Sequence, residues 1–135
     1  MAKDFVFETI DPENPGGPQV DVILSGDLIE RFHKYMPVRW ENLRAAKYVL
    51  DNPERIFYGV RLYNEGGWCY TGKPERWYIR VGIEVPFPKD KVFAVYINRN
   101  MRIYECRAEL AASDDMACPA DWQNRYGGLV WKNIS

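Results

Sequence analysis

The stretch that decides the fold is residues 91–110, KVFAVYINRNMRIYECRAEL. It contains two runs, Val92 to Asn98 and Met101 to Glu109, that are rich in the β-branched and aromatic residues favoured in strands. Arg99-Asn100 separates the runs and suits a tight turn. The stretch therefore predicts two antiparallel strands joined in a hairpin.

The residues before this hairpin carry further strand patterns. From Ile56 to Tyr63 the side chains alternate with period two, which is the spacing of a strand with two different faces. Trp68 to Thr71 and Trp77 to Ile83 are shorter runs bounded by turn residues. Together with the hairpin, these runs predict an antiparallel meander of four or five strands.

Two helices are predicted ahead of the strands. Ser25 is a suitable N-cap for the first helix, which should end near Tyr35 because Pro37 disfavours helical dihedrals at the preceding residue. The second helix runs from about Val38 to Asp51 on an apolar stripe, and Asn52-Pro53 stops it. The predicted fold class is α+β, with two N-terminal helices packed on a four- to five-stranded antiparallel sheet and a C-terminal extension packed on the body.

The chain is predicted to form a single domain over residues 1–135, because its length is typical of one domain and no linker interrupts it. Three large aromatic residues near the end predict that the tail packs on the body, since exposed they would form a sticky patch. The predicted parts are an N-terminal arm and loop (1–19), an α+β body (20–109) and a C-terminal extension (110–135). Within the first part, Phe5-Val6-Phe7 is either a short edge strand or an arm.

Composition and charge narrow the class of protein. The chain has 47% hydrophobic residues, three cysteines without a CxxC spacing, and no apolar run that resembles a secretory signal or a membrane span. These features predict a folded protein of a reducing compartment, the cytoplasm, with no membrane partner. The net charge is −1, but ten basic and five acidic residues lie between Arg55 and Arg107. That uneven distribution permits a local anion site, or is an ordinary solvated surface.

The sequence contains no motif for several common kinds of catalytic or binding site. There is no phosphate-binding glycine pattern and no nucleophile elbow. A single histidine and widely spaced cysteines make a transition-metal site unfavourable. The sequence therefore predicts neither a metal nor a cofactor.

Five residues are candidates for acid–base chemistry at a phosphodiester. Histidine is the residue type suited to carry protons near neutral pH, and His33 lies at the rim of a predicted apolar stripe, where the alternative is a half-buried structural histidine. Strand arginines suit bidentate phosphate binding, and a tyrosine and a glutamate on the last two strands could join them. The alternative is that these are solvent-facing positions of a one-sided sheet. The candidate catalytic residues are His33, Arg80, Tyr96, Glu105 and Arg107.

A second set combines aromatic rings with nearby cations. Aromatic faces stack on unpaired bases, while cations hold the nucleic-acid backbone. The alternative is that at least some of these rings pack the core. The candidate RNA-binding residues are Arg61, Trp68, Tyr70, Lys73 and Arg76.

From Val22 to Glu109 the chain resembles the barnase–EndoU–colicin–RelE superfamily of small ribonuclease folds, most closely its phage and mobile-element branches. The matching pieces are Ile23-Leu24-Ser25, His33, the junction from Leu50 to Ile56 (LDNPERI), Val92 to Ile97 and Ile103 to Arg107. The resemblance implies metal-independent RNA cleavage by a toxin-like domain. Of the candidate residues, His33 alone matches a motif position of the superfamily.

Two functions are therefore predicted as alternatives. The first is an RNA-cleaving or RNA-binding toxin-like domain, a metal-independent endoribonuclease if it is an enzyme, with RNA and a neutralising protein as candidate partners. The second is a non-catalytic protein-interaction module of phage or mobile-element origin on the same scaffold. The slightly acidic net charge favours the second, and the basic sheet half favours the first.

Overall fold

The computed structural model describes residues 3–35, 40–59, 66–79, 83–110 and 127–133, and at 32–35, 40–43, 76–79, 83–85 and 110 it describes the backbone only. Within these ranges the chain forms two helices and nine strands. In chain order they are β1 (Phe5–Thr9), β2 (Val20–Leu24), α1 (Gly26–Tyr35), α2 (Trp40–Asp51), β3 (Arg55–Gly59), β4 (Gly67–Gly72), β5 (Arg76–Ile79), β6 (Ile83–Pro86), β7 (Lys91–Asn98), β8 (Arg102–Leu110) and β9 (Gly128–Lys132).

Seven of these strands form one strongly curled, mixed sheet. Their order is β1-β2-β8-β7-β4-β3-β9. All neighbours are antiparallel except β2 and β8, which are parallel. The strands β5 and β6 pair only with each other in a separate two-stranded sheet.

The predicted hairpin is confirmed at the centre of the large sheet, where β7 pairs with β8. Tyr96 lies opposite Glu105 and Ile97 lies opposite Ile103, so Tyr104 is an extra residue on β8. Such a bulge locally increases the twist of the strand that carries it. The three residues 96, 104 and 105 are thereby brought close together on the hairpin.

The turn of this hairpin is one residue longer than predicted, because β7 ends at Asn98 and β8 begins at Arg102. The Asn98 side chain accepts hydrogen bonds from the backbone N–H groups of Asn100 and Arg102, at 2.9 and 3.1 Å. Met101 has φ 59°, the left-handed conformation typical of the last position in a three-residue hairpin loop.

The first helix begins where the sequence predicts. The Ser25 hydroxyl accepts a hydrogen bond from the Leu28 N–H at 3.2 Å, and the Asp4 carboxylate accepts one from the Gly26 N–H at 2.8 Å. Both satisfy donors that a helix start leaves without intrahelical partners. The predicted N-cap at Ser25 is confirmed.

Both helices cover one side of the sheet, here called the first face. They contribute Leu28, Ile29, Ala46, Val49 and Leu50 to a single buried cluster. The strand residues of the same cluster are Val22, Leu24, Ile56, Trp68, Tyr70, Phe93, Val95, Ile97, Ile103 and Cys106. This cluster is the main hydrophobic core, and burial of its aliphatic and aromatic surface is the main favourable contribution to folding.

The other side of the sheet, here called the second face, carries a smaller buried cluster. Its members are Phe57, Cys69, Val92, Ala94 and Tyr96, with Tyr104 packed against them. They alternate along β3, β4 and β7 with residues of the first face, as the period of a strand requires. The sheet therefore buries side chains on both sides.

The fold class α+β is confirmed, but the predicted architecture is wrong in three respects. The sheet has seven strands instead of four or five, it is mixed instead of antiparallel, and β1 and β2 precede the helices. Of the two alternatives for Phe5-Val6-Phe7, the edge strand is confirmed, because β1 pairs with β2 over the whole length from Phe5–Leu24 to Thr9–Val20. The Thr9 hydroxyl also donates to the Leu50 carbonyl of α2 at 2.5 Å, which anchors this hairpin to the helix layer.

Two other segments are informative. The prediction of one continuous strand from Trp77 to Ile83 is wrong, because β5 ends at Ile79 and Ile83 begins β6, which pairs antiparallel with β5. In the C-terminal extension, β9 pairs with β3 and Trp131 packs against the main core. Trp122 and Tyr126 lie outside the described residues.

Within the described part of the chain, no helix is long and apolar enough to cross a membrane.

Candidate functional site

Four polar side chains of β7 and β8 meet on the second face; Tyr96, Glu105, Arg107 and Glu109 are here called the charged cluster. Arg107 Nη1 lies 2.9 Å from Glu105 Oε1, and Arg107 Nε lies 2.8 Å from Glu109 Oε1. The Tyr96 hydroxyl donates a 2.5 Å hydrogen bond to the same Glu109 oxygen. The Arg107 guanidinium carbon also lies 5.6 Å from the centre of the Tyr96 ring, within cation–π range.

Strand pairing explains why these four residues converge. Glu105 lies opposite Tyr96, and the next same-face positions on β8 are Arg107 and Glu109. Because side chains two apart on a strand share a face, the three charged residues form one line beside the tyrosine. The cluster is therefore a direct product of the hairpin register.

The charged residues of the cluster differ in exposure, and the middle one along β8, Arg107, is the most exposed. The exposed fraction of the side chain is 7% for Glu109, 23% for Glu105 and 47% for Arg107. Partial burial alone would lower the pKa of Arg107, but the hydrogen bond that Arg107 donates to Glu109 and the charges of Glu105 and Glu109 outweigh it and raise that pKa. Arg107 is thus a fixed cation that solvent can reach.

Cys69 lies beneath the cluster on β4, directly opposite Tyr96. Its thiol is fully buried, and burial raises its pKa well above the usual value, with a further increase from the negative charge of Glu109. A thiol is nucleophilic only as the thiolate, so Cys69 is a packing residue here and not a candidate nucleophile.

A row of residues crosses the second face from one edge strand toward β8. Arg55 of β3 pairs with Lys132 of β9 and with Thr71 of β4. Thr71 pairs with Ala94 of β7, and Ala94 in turn pairs with Arg107. This row, here called the basic row, contains Lys132, Arg55, Thr71, Ala94 and Arg107. It brings cations from three strands to the same face as the two carboxylates.

The structure brings together three of the five predicted catalytic residues: Tyr96, Glu105 and Arg107. The helix that carries His33, α1, packs on the first face through Leu28 and Ile29. The His33 side chain and Arg80 lie outside the described residues, so the expectation that the histidine and the strand arginines share one hollow stays a prediction.

Some of the predicted RNA-binding residues are buried in the main core, and others have side chains that the structure does not describe. Trp68 is 5% exposed and Tyr70 is fully buried, both in the main core, so neither ring offers a face to a base. They fit the alternative that these rings pack the core. Lys73 follows β4 and is partly buried, Arg76 is described only as backbone in β5, and Arg61 lies outside the described residues.

Three polar residues of the second face were not predicted. Glu109 could have been found by counting two positions on from Arg107 along the predicted strand. Arg55 shares a face with Phe57, but it stands in a junction that reads as a helix stop. Lys132 could not be placed, because its pairing with Arg55 joins distant parts of the sequence.

The arrangement can bind an anion and move a proton. A carboxylate accepts a proton, a guanidinium stabilises negative charge, and a tyrosine hydroxyl can orient either one.

No family model, curated protein or solved structure matches this chain.

Proposed function

We propose that this protein binds RNA on the second face of its sheet and cleaves it by metal-independent acid–base chemistry, as a toxin-like ribonuclease domain. The observation that carries the proposal is the charged cluster, in which a half-exposed Arg107 lies within 3 Å of two carboxylates and beside Tyr96. The basic row adds Arg55 and Lys132 on the same face.

Arg107 is suited to hold the scissile phosphate. Its two carboxylate contacts use Nε and Nη1, and a guanidinium has five N–H donors. The Nη2 donors can therefore approach a phosphate oxygen while the side chain stays oriented by Glu105 and Glu109. An arginine held in place before the substrate arrives needs little rearrangement to stabilise developing charge.

The basic row is suited to hold the RNA strand on one side of that phosphate. Arg107 and Lys132 stand four strands apart, a separation of about 19 Å at the usual strand spacing. Arg55 lies between them and is buried, so it contributes positive charge without contacting the RNA. Cations this far apart contact different phosphates of one strand, which favours a polynucleotide over a small anion.

Glu105 is the proposed general base. Its carboxylate takes the proton of a ribose 2′-hydroxyl, whose oxygen attacks the adjacent phosphorus, while the bond to the 5′-oxygen breaks and that oxygen takes a proton from water. Arg107 stabilises the charge on the non-bridging phosphate oxygens. The requirement for a 2′-hydroxyl makes RNA the substrate, and the resemblance to metal-independent ribonucleases supports the same chemistry.

A non-catalytic interaction module is the second candidate. The observation that favours it is that Arg107 already pairs with two carboxylates, which a phosphate would have to compete with. The placement of α1 on the first face also separates the His33 helix from the cluster. On this alternative the same face binds a partner and breaks no bond.

The test is cleavage of labelled single-stranded RNA in the presence of a chelator. Glu105→Gln should abolish cleavage and retain binding, because the amide keeps the shape and loses the base. Arg107→Ala should weaken both. Lys132→Ala should leave cleavage detectable but lower the slope of log affinity against log salt by about 0.7, the value for one phosphate contact on a single strand.

Two further variants make the result decisive. Lys47→Ala, on the exposed side of α2, is the matched charge-removing control and should change neither binding nor cleavage. If His33→Ala abolishes cleavage while Glu105→Gln does not, the assignment to the charged cluster is wrong. Binding without cleavage by the unaltered protein would support the second candidate, and neither at low salt would reject RNA as the ligand.

A further inference from the structure

The bulge in β8 gives the second face two consecutive side chains. Ile103 packs in the main core on the first face, and Glu105 lies opposite Tyr96 on the second face. Tyr104 is the extra residue between them, and it packs against the buried cluster of the second face. A regular strand would send neighbouring residues to opposite faces, whereas a bulge redirects one of them. An aromatic ring therefore stands directly beside the carboxylate proposed as the general base.

The Tyr104 ring is more accessible than the other aromatic rings of the second-face cluster. Phe57 is fully buried and Tyr96 is 4% exposed, whereas Tyr104 is partly exposed. The Tyr104 hydroxyl oxygen is buried, so what this side chain offers to a ligand is its ring. Trp68 and Tyr70, which the sequence favoured as stacking residues, are enclosed in the main core. Tyr104 can take the role that they cannot.

The position of this ring relative to the charged cluster suits a nucleotide. The ring centres of Tyr104 and Tyr96 lie 6.2 Å apart, with their planes inclined by 32°. The Arg107 guanidinium carbon lies 5.6 Å from the centre of the same Tyr96 ring. The Tyr104 ring is thus within about 12 Å of the guanidinium. Single-stranded nucleic acids are commonly held in this way, by cations on the backbone and aromatic rings on the bases.

We propose that Tyr104 stacks on an unpaired base of the bound RNA, next to the phosphate that Arg107 holds, and that the substrate is therefore single-stranded RNA. This inference rests on the proposed function, since it assumes that RNA lies on the second face. The bases of a duplex already stack on one another, so their faces are closed to a protein ring, whereas unpaired bases can be splayed out. Because Tyr104 is packed against the buried cluster, its ring needs little ordering when a base arrives.

Binding to two matched strands separates stacking from a structural role. The first is a short single-stranded RNA in which 2′-fluoro groups replace the attacking hydroxyls, so that it cannot be cleaved, and the second is the same backbone without bases. Tyr104→Leu should lower affinity for the first strand by about 5- to 150-fold, the usual value of one base–aromatic contact, and leave affinity for the second unchanged. Tyr104→Phe should bind both strands like the unaltered protein, because it keeps the ring.

Phe5→Leu is the matched aromatic control. Phe5 is 52% exposed on β1 and lies outside the second-face cluster, so its replacement should change binding to neither strand. A loss of the same factor on both strands in Tyr104→Leu would mean that the ring only supports the fold, and would overturn the proposal. An unchanged affinity of Tyr104→Leu for the base-bearing strand would overturn it as well.

Cleavage of an ordinary RNA, alone and annealed to its complement, tests the substrate class. The unaltered protein should cleave the single strand faster, and equal rates on the two forms would overturn the preference for unpaired RNA while leaving the proposed function in place. Binding with the expected dependence on bases but without cleavage would reject the ribonuclease and still support stacking at Tyr104. Binding of neither strand would reject RNA on this face, and the stacking role with it.

Discussion

The two faces of the curled sheet are built for different tasks. The first face is covered by both helices and lined almost entirely by apolar side chains. The second face has a smaller apolar cluster, and beside it lie two carboxylates, a tyrosine and an arginine that contact one another. The main core and the candidate site are therefore separated only by the thickness of the sheet, because neighbouring residues of a strand project from opposite faces.

The largest loss of stability is expected from a substitution in the first face. Phe93 is fully buried there, and Phe93→Ala should lower the free energy of unfolding by about 3–5 kcal/mol, the usual cost of removing a buried phenyl ring. Urea denaturation measures it. Arg107→Ala, on the more exposed part of the second face, is the comparison variant and should cost less. Equal losses would contradict the division between the two faces.

The next largest loss of stability is expected from a substitution in the buried part of the charged cluster. Glu109→Gln should destabilise the protein by about 1–3 kcal/mol, because it weakens the contacts with Arg107 and the Tyr96 hydroxyl in a buried site. Adding Tyr96→Phe should recover part of the loss, since it removes the hydroxyl that the altered site must satisfy. Strictly additive losses in the double variant would show that the two side chains are not coupled.

Alkaline pH should affect both faces, each through one buried residue. Burial raises the pKa of Cys69 on the second face and of Tyr70 on the first, where nearby Asp11 adds to the effect. The unfolded chain therefore loses these protons first, so the stability is fully present below pH 9 and falls as the pH rises above 9.0, the ordinary pKa of a thiol. The slope from one such group reaches about 1.4 kcal/mol per pH unit.

Two variants separate these contributions in urea denaturation measured across the alkaline range. Cys69→Ala should remove the part of the loss of stability that begins near pH 9, and Tyr70→Phe should remove the part that begins near pH 10, the ordinary pKa of a tyrosine hydroxyl. Because Tyr70 also donates to the Ile10 carbonyl at 2.6 Å, its variant should be less stable at neutral pH as well. Alkaline profiles that neither variant changes would contradict the assignment.

The smallest loss of stability is expected from a substitution on the exposed surface of α2, outside both faces of the sheet. Lys47 and Asp51 form an ion pair one turn apart on α2, with side chains 61% and 42% exposed. Exposed pairs of this kind contribute about 0.3–0.5 kcal/mol and are screened by salt. Lys47→Ala should therefore change the urea midpoint only slightly, and the change should vanish in high salt. A larger effect would mean that the helix surface matters more than the comparison of faces implies.

Local pattern was sufficient to predict the parts of the fold that local pairing forms. The β7–β8 hairpin, the N-cap at Ser25 and the two helices each depend on residues close in sequence. The parallel pair β2–β8 and the pair β3–β9 join segments far apart in the chain, and no nearby residue signals them. The count of strands and the mixed character of the sheet were wrong for that reason.

The candidate site follows the same division. Tyr96, Glu105 and Arg107 were predicted together because the hairpin register alone sets their proximity. Trp68 and Tyr70 resembled stacking residues because they stand among basic residues, but alternation cannot say which side of a strand the helices cover. The same ambiguity applies to His33, since a helix pattern gives an apolar stripe and not the face of the sheet on which it packs.

The parallel contact between β2 and β8 has a consequence for how the protein is made. It consists of two residue pairs, Ile23–Arg102 and Leu24–Ile103, so the partner of β2 leaves the ribosome about 80 residues later. At roughly 5–20 residues per second, this is a wait on the order of 4–16 s. During synthesis the first two strands must therefore wait without their β8 neighbour, and a nascent chain stalled before residue 102 would present the unpaired edge of β2 to chaperones and proteases.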